Sequence, residues 1–311
     1  MAFHRSALPQ TEGGLFLTYT GMETDLLFNK GFDLPGFASY PLLETDEGRA
    51  ALRGSYESLI DTCQDARMGV ILESPTWVAN RDRGAVIGYS PETLRRRNIE
   101  AVELMVEIRN HKGDLPTIIS ANIGPRSDAY APSERMSPEE AEAYHCEQIA
   151  VFAKTEIDLI SGYTVAYPEE AIGMVRAAKT FDLPVVIGFT VETDGRLPIG
   201  IGLGDAIELV DQATDQYASY FMINCAHPDH FRSILTDDKW MMRLRGIVAN
   251  ASRCSHAELD EAEVLDAGNP AEFGRQLSEI HHAFPQITVF GGCCGTDMRH
   301  MSSVVRQLNA V

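Results

Sequence analysis

Eight short apolar runs alternate with eight helix-like or polar segments along the 311-residue chain, and no other feature restricts its fold as strongly. The runs at 15–20, 69–74, 117–122, 157–164, 183–190, 219–224, 246–249 and 287–292 have strand length and β-favouring composition. Between and after them, helices are predicted over 48–67, 90–111, 168–180, 205–216, 270–284 and 297–308. A further helix opens at Ser137, and a short one lies near 228–235. Ser90-Pro91-Glu92 and Ser137-Pro138-Glu139 each set a capping serine before a proline at the first helical position. Strands that alternate with helices pair in parallel. Eight such units in a chain of this length predict an α/β protein, a (β/α)8 or TIM barrel, built as a single domain over 1–311. A doubly wound sheet is the competing architecture. It is disfavoured because no Gly-x-Gly-x-x-Gly follows the first run and no Gly-x-x-x-x-Gly-Lys occurs. The stretches 30–45 and 250–269 read as loops on the barrel.

The last run feeds into Gly291-Gly292-Cys293-Cys294-Gly295-Thr296. Adjacent cysteines are poorly placed to bond to each other, because a disulfide needs separated, facing Cβ vectors. At the end of a buried strand they present two thiolates to one pocket, and the soft or borderline metals, zinc above all, take such ligands. A third ligand is needed. Cys225 ends the sixth run in Asn224-Cys225-Ala226-His227 and is the best candidate. In a barrel of this kind functional groups gather at the C-terminal ends of the strands, which puts all three cysteines on one face. Cys63, Cys146 and Cys254 fall in helices and a loop and read as packing or incidental thiols. His227 and His230 read as structural residues or outer partners of the metal site.

Forty-five acidic against twenty-six basic residues give a formal charge of −19, which argues against a nucleic-acid backbone or an anionic membrane as partner. No apolar run is long enough for a membrane span, and residues 1–14 lack a secretory signal's apolar core. Six scattered cysteines suit a reducing compartment, so the expected location is the cytoplasm.

The chain resembles the homocysteine S-methyltransferase family over nearly its whole length. Gly291-Gly292-Cys293-Cys294-Gly295-Thr296 matches the family's Gly-Gly-Cys-Cys-Gly-Thr, and Asn224-Cys225 matches its Asn-Cys. Weaker matches are Thr20-Gly21-Met22-Glu23-Thr24, Glu169-Glu170-Ala171 and Asn250-Ala251. The resemblance implies a zinc enzyme on a (β/α)8 barrel, with Cys225, Cys293 and Cys294 as ligands to Zn2+. Three thiolates leave one tetrahedral position open for a substrate thiol, which binds and reacts as its thiolate. The implied reaction moves a methyl group from a small sulfonium such as S-methylmethionine, or a betaine-like ammonium, to a thiol acceptor, homocysteine giving methionine. The metal-bound substrate thiolate is the nucleophile, and no separate protein base is assigned.

Two positions depart from the family pattern. Tyr19-Thr20-Gly21 stands where relatives have Asp-Gly-Gly, and Tyr163 stands where many place a glutamate that holds the amino-acid acceptor. Glu23 and Glu73 lie near the same strand ends and are the carboxylates available to take over. The expected substrate-contacting set is therefore Tyr19, Thr20, Glu23, Glu73, Thr76, Trp77, Tyr163 and Asn224, with the aromatic members able to face a cationic donor. Thr190, at the end of the fifth run, is a further candidate. The competing readings are a degenerate relative that binds zinc or a thiol without transferring methyl, and a zinc hydrolase. The hydrolase is disfavoured because no His-x-His follows the first run.

Overall fold

The computed structural model describes residues 2–64, 66–113 and 115–310. Its eight parallel strands close in sequence order into a barrel. They are β1 Phe16–Tyr19, β2 Gly69–Glu73, β3 Thr117–Ile123, β4 Leu159–Val165, β5 Val185–Phe189, β6 Tyr220–Asn224, β7 Leu244–Ala249 and β8 Val289–Gly292. Closure comes from β1 lying beside β8, with Phe16 opposite Val289 and Tyr19 opposite Gly292. A helix follows each strand: α1 Asp46–Gln64, α2 Pro91–Lys112, α3 Pro138–Phe152, α4 Pro168–Thr180, α5 Leu203–Thr214, the short α6 Pro228–Phe231, α7 Pro270–Ala283 and α8 Met298–Leu308.

The expected serine caps form. Ser90 Oγ accepts from the Thr93 amide at 3.2 Å, and Ser137 makes a full capping box with Glu140. The helix expected over 48–67 begins at Asp46 and runs to Gln64; Asp65 lies outside the described residues. The segment 205–216 is shifted back by two residues, because Asp215 turns left-handed (φ 55°) and ends α5. The loop 30–45 holds 3-10 turns at Pro35–Phe37 and Tyr40–Glu44. The loop 250–269 carries the helix His256–Asp260, and a helix over Arg81–Val86, capped by Asn80, was not expected from the sequence.

Side chains alternate across a strand, so each strand feeds two cores. Leu17, Tyr19, Val70, Leu72, Ile160 and Phe290 pack with the helices. Phe16, Ile71, Ile118, Leu159, Tyr163, Val186, Tyr220 and Met222 fill the barrel itself. The base of the barrel is closed by the N-terminal segment, where Leu8 joins the inner core and Gln10 Nε2 donates to the Tyr220 hydroxyl. Among the described residues no helix is long and apolar enough to cross a membrane.

Candidate metal centre

The C-terminal ends of the strands open into a cavity of about 450 Å3, and the sulfurs of Cys225, Cys293 and Cys294 line its floor. The three Sγ atoms lie within 4.8 Å of one another, with Cys225 and Cys294 at 3.7 Å. Three thiolates held tetrahedrally on an ion at Zn–S distances of about 2.3 Å would be ~3.8 Å apart, so the spacing fits a metal of that size. Among the described residues this is the grouping of side chains able to hold a metal. Neither His227 nor His230 belongs to it: His227 Nδ1 accepts from the Asp229 amide and His230 Nε2 lies on the Arg253 carbonyl.

Backbone geometry places each sulfur. Cys225 leaves β6 in the left-handed region (φ 55°), uncommon for a side-chain-bearing residue and found where surroundings enforce it. Its amide donates to Val248 O at 3.0 Å, and its carbonyl lies 2.6 Å from His256 Nε2. Cys293 is tied to β7 through Ala249 O at 2.7 Å, and Cys294 through its carbonyl to the Ala251 amide. Gly295 has φ 78°, and a Cβ there would sit 2.7 Å from Asp266 O, so this turn requires glycine. At Gly291 the constraint is space: a Cβ would come within 2.5 Å of Thr18 O.

The three thiols perturb one another through their hydrogen bonds. Hydrogen bonds from Cys293 and Cys294, then one from the Tyr130 hydroxyl, hold the Cys225 thiol well below the usual range. The same bonds push its two neighbours up. By themselves the sulfurs favour one anion shared by the cluster, since like charges at this separation cannot all ionise. Three thiolates together require a compensating cation, and this donor set suits a divalent one.

The expected substrate residues divide into two groups. Thr20, Glu23, Trp77, Tyr163 and Asn224 line the cavity. Tyr19, Glu73, Thr76 and Thr190 do not. Tyr19 alternates with inward Thr18, so it points outward, and its hydroxyl donates to Thr296 O at 2.9 Å. Thr76 is buried and donates to Asn122 O at 2.8 Å. Thr190 is also buried, away from the cavity. Glu73 points into the barrel but lies beneath the cavity. Its Oε1 accepts from the Tyr163 hydroxyl at 3.0 Å, while Oε2 has no partner among the described residues. The Tyr163 phenol therefore turns down and away from an incoming substrate, and only its ring faces the cavity. Burial raises the Glu73 carboxyl to about 7, with the Tyr163 hydroxyl and the nearby hydroxyls of Ser120, Ser161 and Thr18 opposing.

Of the two expected glutamates, Glu23 is the one that lines the cavity. It sits in the turn after β1, with Ser39 Oγ donating to Oε1 at 2.6 Å. Burial lifts its pKa to about 7, with the Ser39 hydrogen bond opposing. Asn224 is committed to backbone geometry. Its Oδ1 accepts from the Thr164 amide and its Nδ2 donates to Thr164 Oγ1, both at 2.9 Å. Thr164 is itself left-handed (φ 61°), so one amide side chain fixes the unusual ends of β4 and β6 together.

Of the cavity residues absent from the sequence reading, three bear on the site. Tyr130, in the loop after β3, sets its hydroxyl 2.9 Å from Cys225 Sγ and stacks on His256 at 4.1 Å between ring centroids. His256 reaches back to the Cys225 carbonyl and to Glu192. Arg83, on the Arg81–Val86 helix, lies over the Trp77 ring at 5.2 Å. All three sit in polar segments between strands, Arg83 and His256 on short helices there, with no periodicity or motif to mark them.

Comparisons with known proteins bear on the family and the fold. A family model described as homocysteine S-methyltransferase matches residues 21–308. The crystal structure of the homocysteine methyltransferase MmuM from Escherichia coli in its metallated form superposes with a TM-score of 0.70 at 16% identity, covering 96% of each chain. Its oxidised form gives 0.70 at 18% identity, covering 96% of this chain and 97% of that one. These likenesses establish the shared barrel. A comparison with curated proteins finds no match. With the family model running from the turn after β1 to the end of α8, the chain belongs to the homocysteine S-methyltransferase family and is a methyltransferase.

Proposed function

We propose that the protein is a zinc-dependent S-methyltransferase that moves a methyl group from a small sulfonium or quaternary ammonium donor to homocysteine, giving methionine. The observation that carries the reading is the triangle of Cys225, Cys293 and Cys294 sulfurs at the floor of the cavity. Zn2+ bound there supplies the Lewis acidity that lets an incoming thiol shed its proton near neutral pH. Cys225, Cys293 and Cys294 would hold the ion, and the acceptor would reach it through the cavity that they line.

The remaining steps fall to the chain's own groups. Glu23 offers the carboxylate for the acceptor's ammonium, in place of the family carboxylates whose positions Tyr19 and Tyr163 occupy. Its Ser39 hydrogen bond fixes the orientation. Trp77, Tyr130 and Tyr163 line the cavity with aromatic faces, which attract a methyl-bearing cation through the ring quadrupole. Glu23, Asp128, Asp260 and Asp266 against the single Arg83 make the lining net acidic, which favours the same cation. Transfer requires sulfur and methyl carbon in line at about 3–3.5 Å, so positioning supplies much of the acceleration. Three reduced metal-ligating thiols also suit a reducing compartment such as the cytoplasm.

The test is metal content and ligation. One zinc per chain is expected, with X-ray absorption showing three sulfur neighbours near ~2.3 Å. Cys293→Ala should lose metal and methyl transfer together, while Cys63→Ala, in a buried helical position, should keep both. A first shell of mainly nitrogen and oxygen, or full turnover in the Cys293 variant, would overturn the proposal.

A further inference from the structure

Three thiolates on a divalent ion leave one surplus negative charge, and an acceptor that binds as a thiolate adds another. The cavity lining does little to offset it. Glu23, Asp128, Asp260 and Asp266 stand there against Arg83, whose charge Asp128 already meets. Hydrogen bonds aimed at the sulfurs are the remaining means of spreading that charge, and in a half-buried site they are stronger than in water.

Tyr130 supplies one. Its hydroxyl lies 2.9 Å from Cys225 Sγ. A phenol keeps its proton at neutral pH and a metal-bound cysteine has none, so the phenol is the donor of the pair. The residue is held from two sides. In the loop after β3, Asp128 Oδ1 accepts from the Tyr130 and Ala131 amides, both at 2.8 Å. On the other side the phenol ring stacks on His256, with 4.1 Å between centroids and 27° between planes. His256 is itself fixed at both nitrogens, Nε2 at 2.6 Å from the Cys225 carbonyl and Nδ1 at 3.1 Å from Glu192 Oε1. This pair of rings therefore touches Cys225 twice, at its carbonyl through His256 and at its sulfur through Tyr130. The contacts differ in effect. The first holds the backbone of a residue at φ 55°. The second acts on the sulfur alone, and it can be removed while the ring stack stays.

We propose that Tyr130 is a positioning residue for the methyl acceptor and acts through Cys225: its hydroxyl draws charge from that thiolate and so admits the acceptor as a fourth sulfur anion. The inference rests on the methyl-transfer reading and deepens it, by naming a group that sets which state of the acceptor sulfur the site holds. A thiol bound as its thiolate carries the charge that the hydrogen bond relieves. The methylated product is a neutral thioether and gains nothing from it. Tyr130 thus favours acceptor over product, and the site lets the product go.

The experiment compares wild type with Tyr130→Phe, which keeps the ring and its stack on His256 and removes only the hydroxyl. Two readouts are independent of turnover. With cobalt(II) loaded in place of zinc, the sulfur-to-metal charge-transfer band should move to longer wavelength in the variant, because a thiolate that has lost a hydrogen bond gives up electron density more easily. Calorimetry on the zinc-loaded proteins should show homocysteine bound roughly tenfold more weakly by the variant, the lower end of what losing an outer partner of a metal ligand costs. Methionine should bind both proteins within about twofold, since an interaction specific to the anion is worth nothing to a neutral sulfur. An unmoved band, equal losses for the two ligands, or no loss for either would overturn the assignment and leave the proposed function standing. A wild-type protein that takes up no metal or binds no thiol would overturn both. The expected shifts with no methyl transfer to any thiol would sink the proposed function alone.

Discussion

Removing the charge of Glu23 while keeping its shape separates acceptor recognition from metal chemistry. In Glu23→Gln the Ser39 hydrogen bond retains an acceptor, but the acceptor's ammonium loses its counter-charge. A charge-assisted hydrogen bond contributes about 1.5–3 kcal/mol, so kcat/KM for homocysteine should fall roughly ten- to a hundred-fold. The same thiol without its amino group should change little. The pH dependence adds a second signature. Burial lifts the wild-type carboxyl to about 7, so it is neutral below that value and charged above it. The wild-type kcat/KM for homocysteine, which reports the free enzyme, should therefore fall as pH drops through about 7, and the ratio of wild type to variant should shrink with it. Steady-state assays from pH 5.5 to 8.5 with both thiols read all of this. Equal losses for the two thiols would refute the reasoning, as would a homocysteine preference untouched by the substitution. Either result would mean that the ammonium is held elsewhere.

Two further outcomes follow from buried groups, Glu73 beneath the cavity and Asn224 at its wall. Glu73 keeps its proton up to about 7 in the folded chain but only to about 4.5 in the unfolded one. Its raised pKa therefore leaves stability intact below about 4.5 and erodes it as pH rises toward 7, by up to about 3 kcal/mol. Glu73→Gln should be more stable than wild type at pH 8, with the gain vanishing near pH 4.5 in paired denaturant titrations; a gain independent of pH would show that the charge is compensated. Asn224→Ala should cost about 2–4 kcal/mol, because two buried hydrogen bonds to left-handed Thr164 are lost, and it should weaken zinc roughly ten- to a hundred-fold by loosening Cys225. Competition with a chelator checks the second number, and unchanged zinc affinity would confine Asn224 to a stability role.

The barrel and the meeting of its three cysteines were legible in the chain because both rest on local information. Strand length, helix caps and alternation are written in consecutive residues, and all eight strands lie where the apolar runs are. The Gly-Gly-Cys-Cys-Gly turn is local as well: Gly295 must be glycine at φ 78°, and both thiols follow directly from β8. Cys225 needed one further step, that strand ends of a parallel barrel share a face. Strand parity also bore on Tyr19, since its neighbour Thr18 faces inward; alignment to a family motif passed over that signal. The rest of the cavity was decided by tertiary structure alone. Whether Glu23 or Glu73 greets a substrate depends on depth along the barrel axis, and no periodicity records depth. Tyr130, His256 and Arg83 arrive on loops from three separate strands, and their meeting beside Cys225 and Trp77 is fixed by closure of the barrel. Sequence spacing sets which side of a strand a residue occupies; only the packed fold sets which residues from distant loops share one volume.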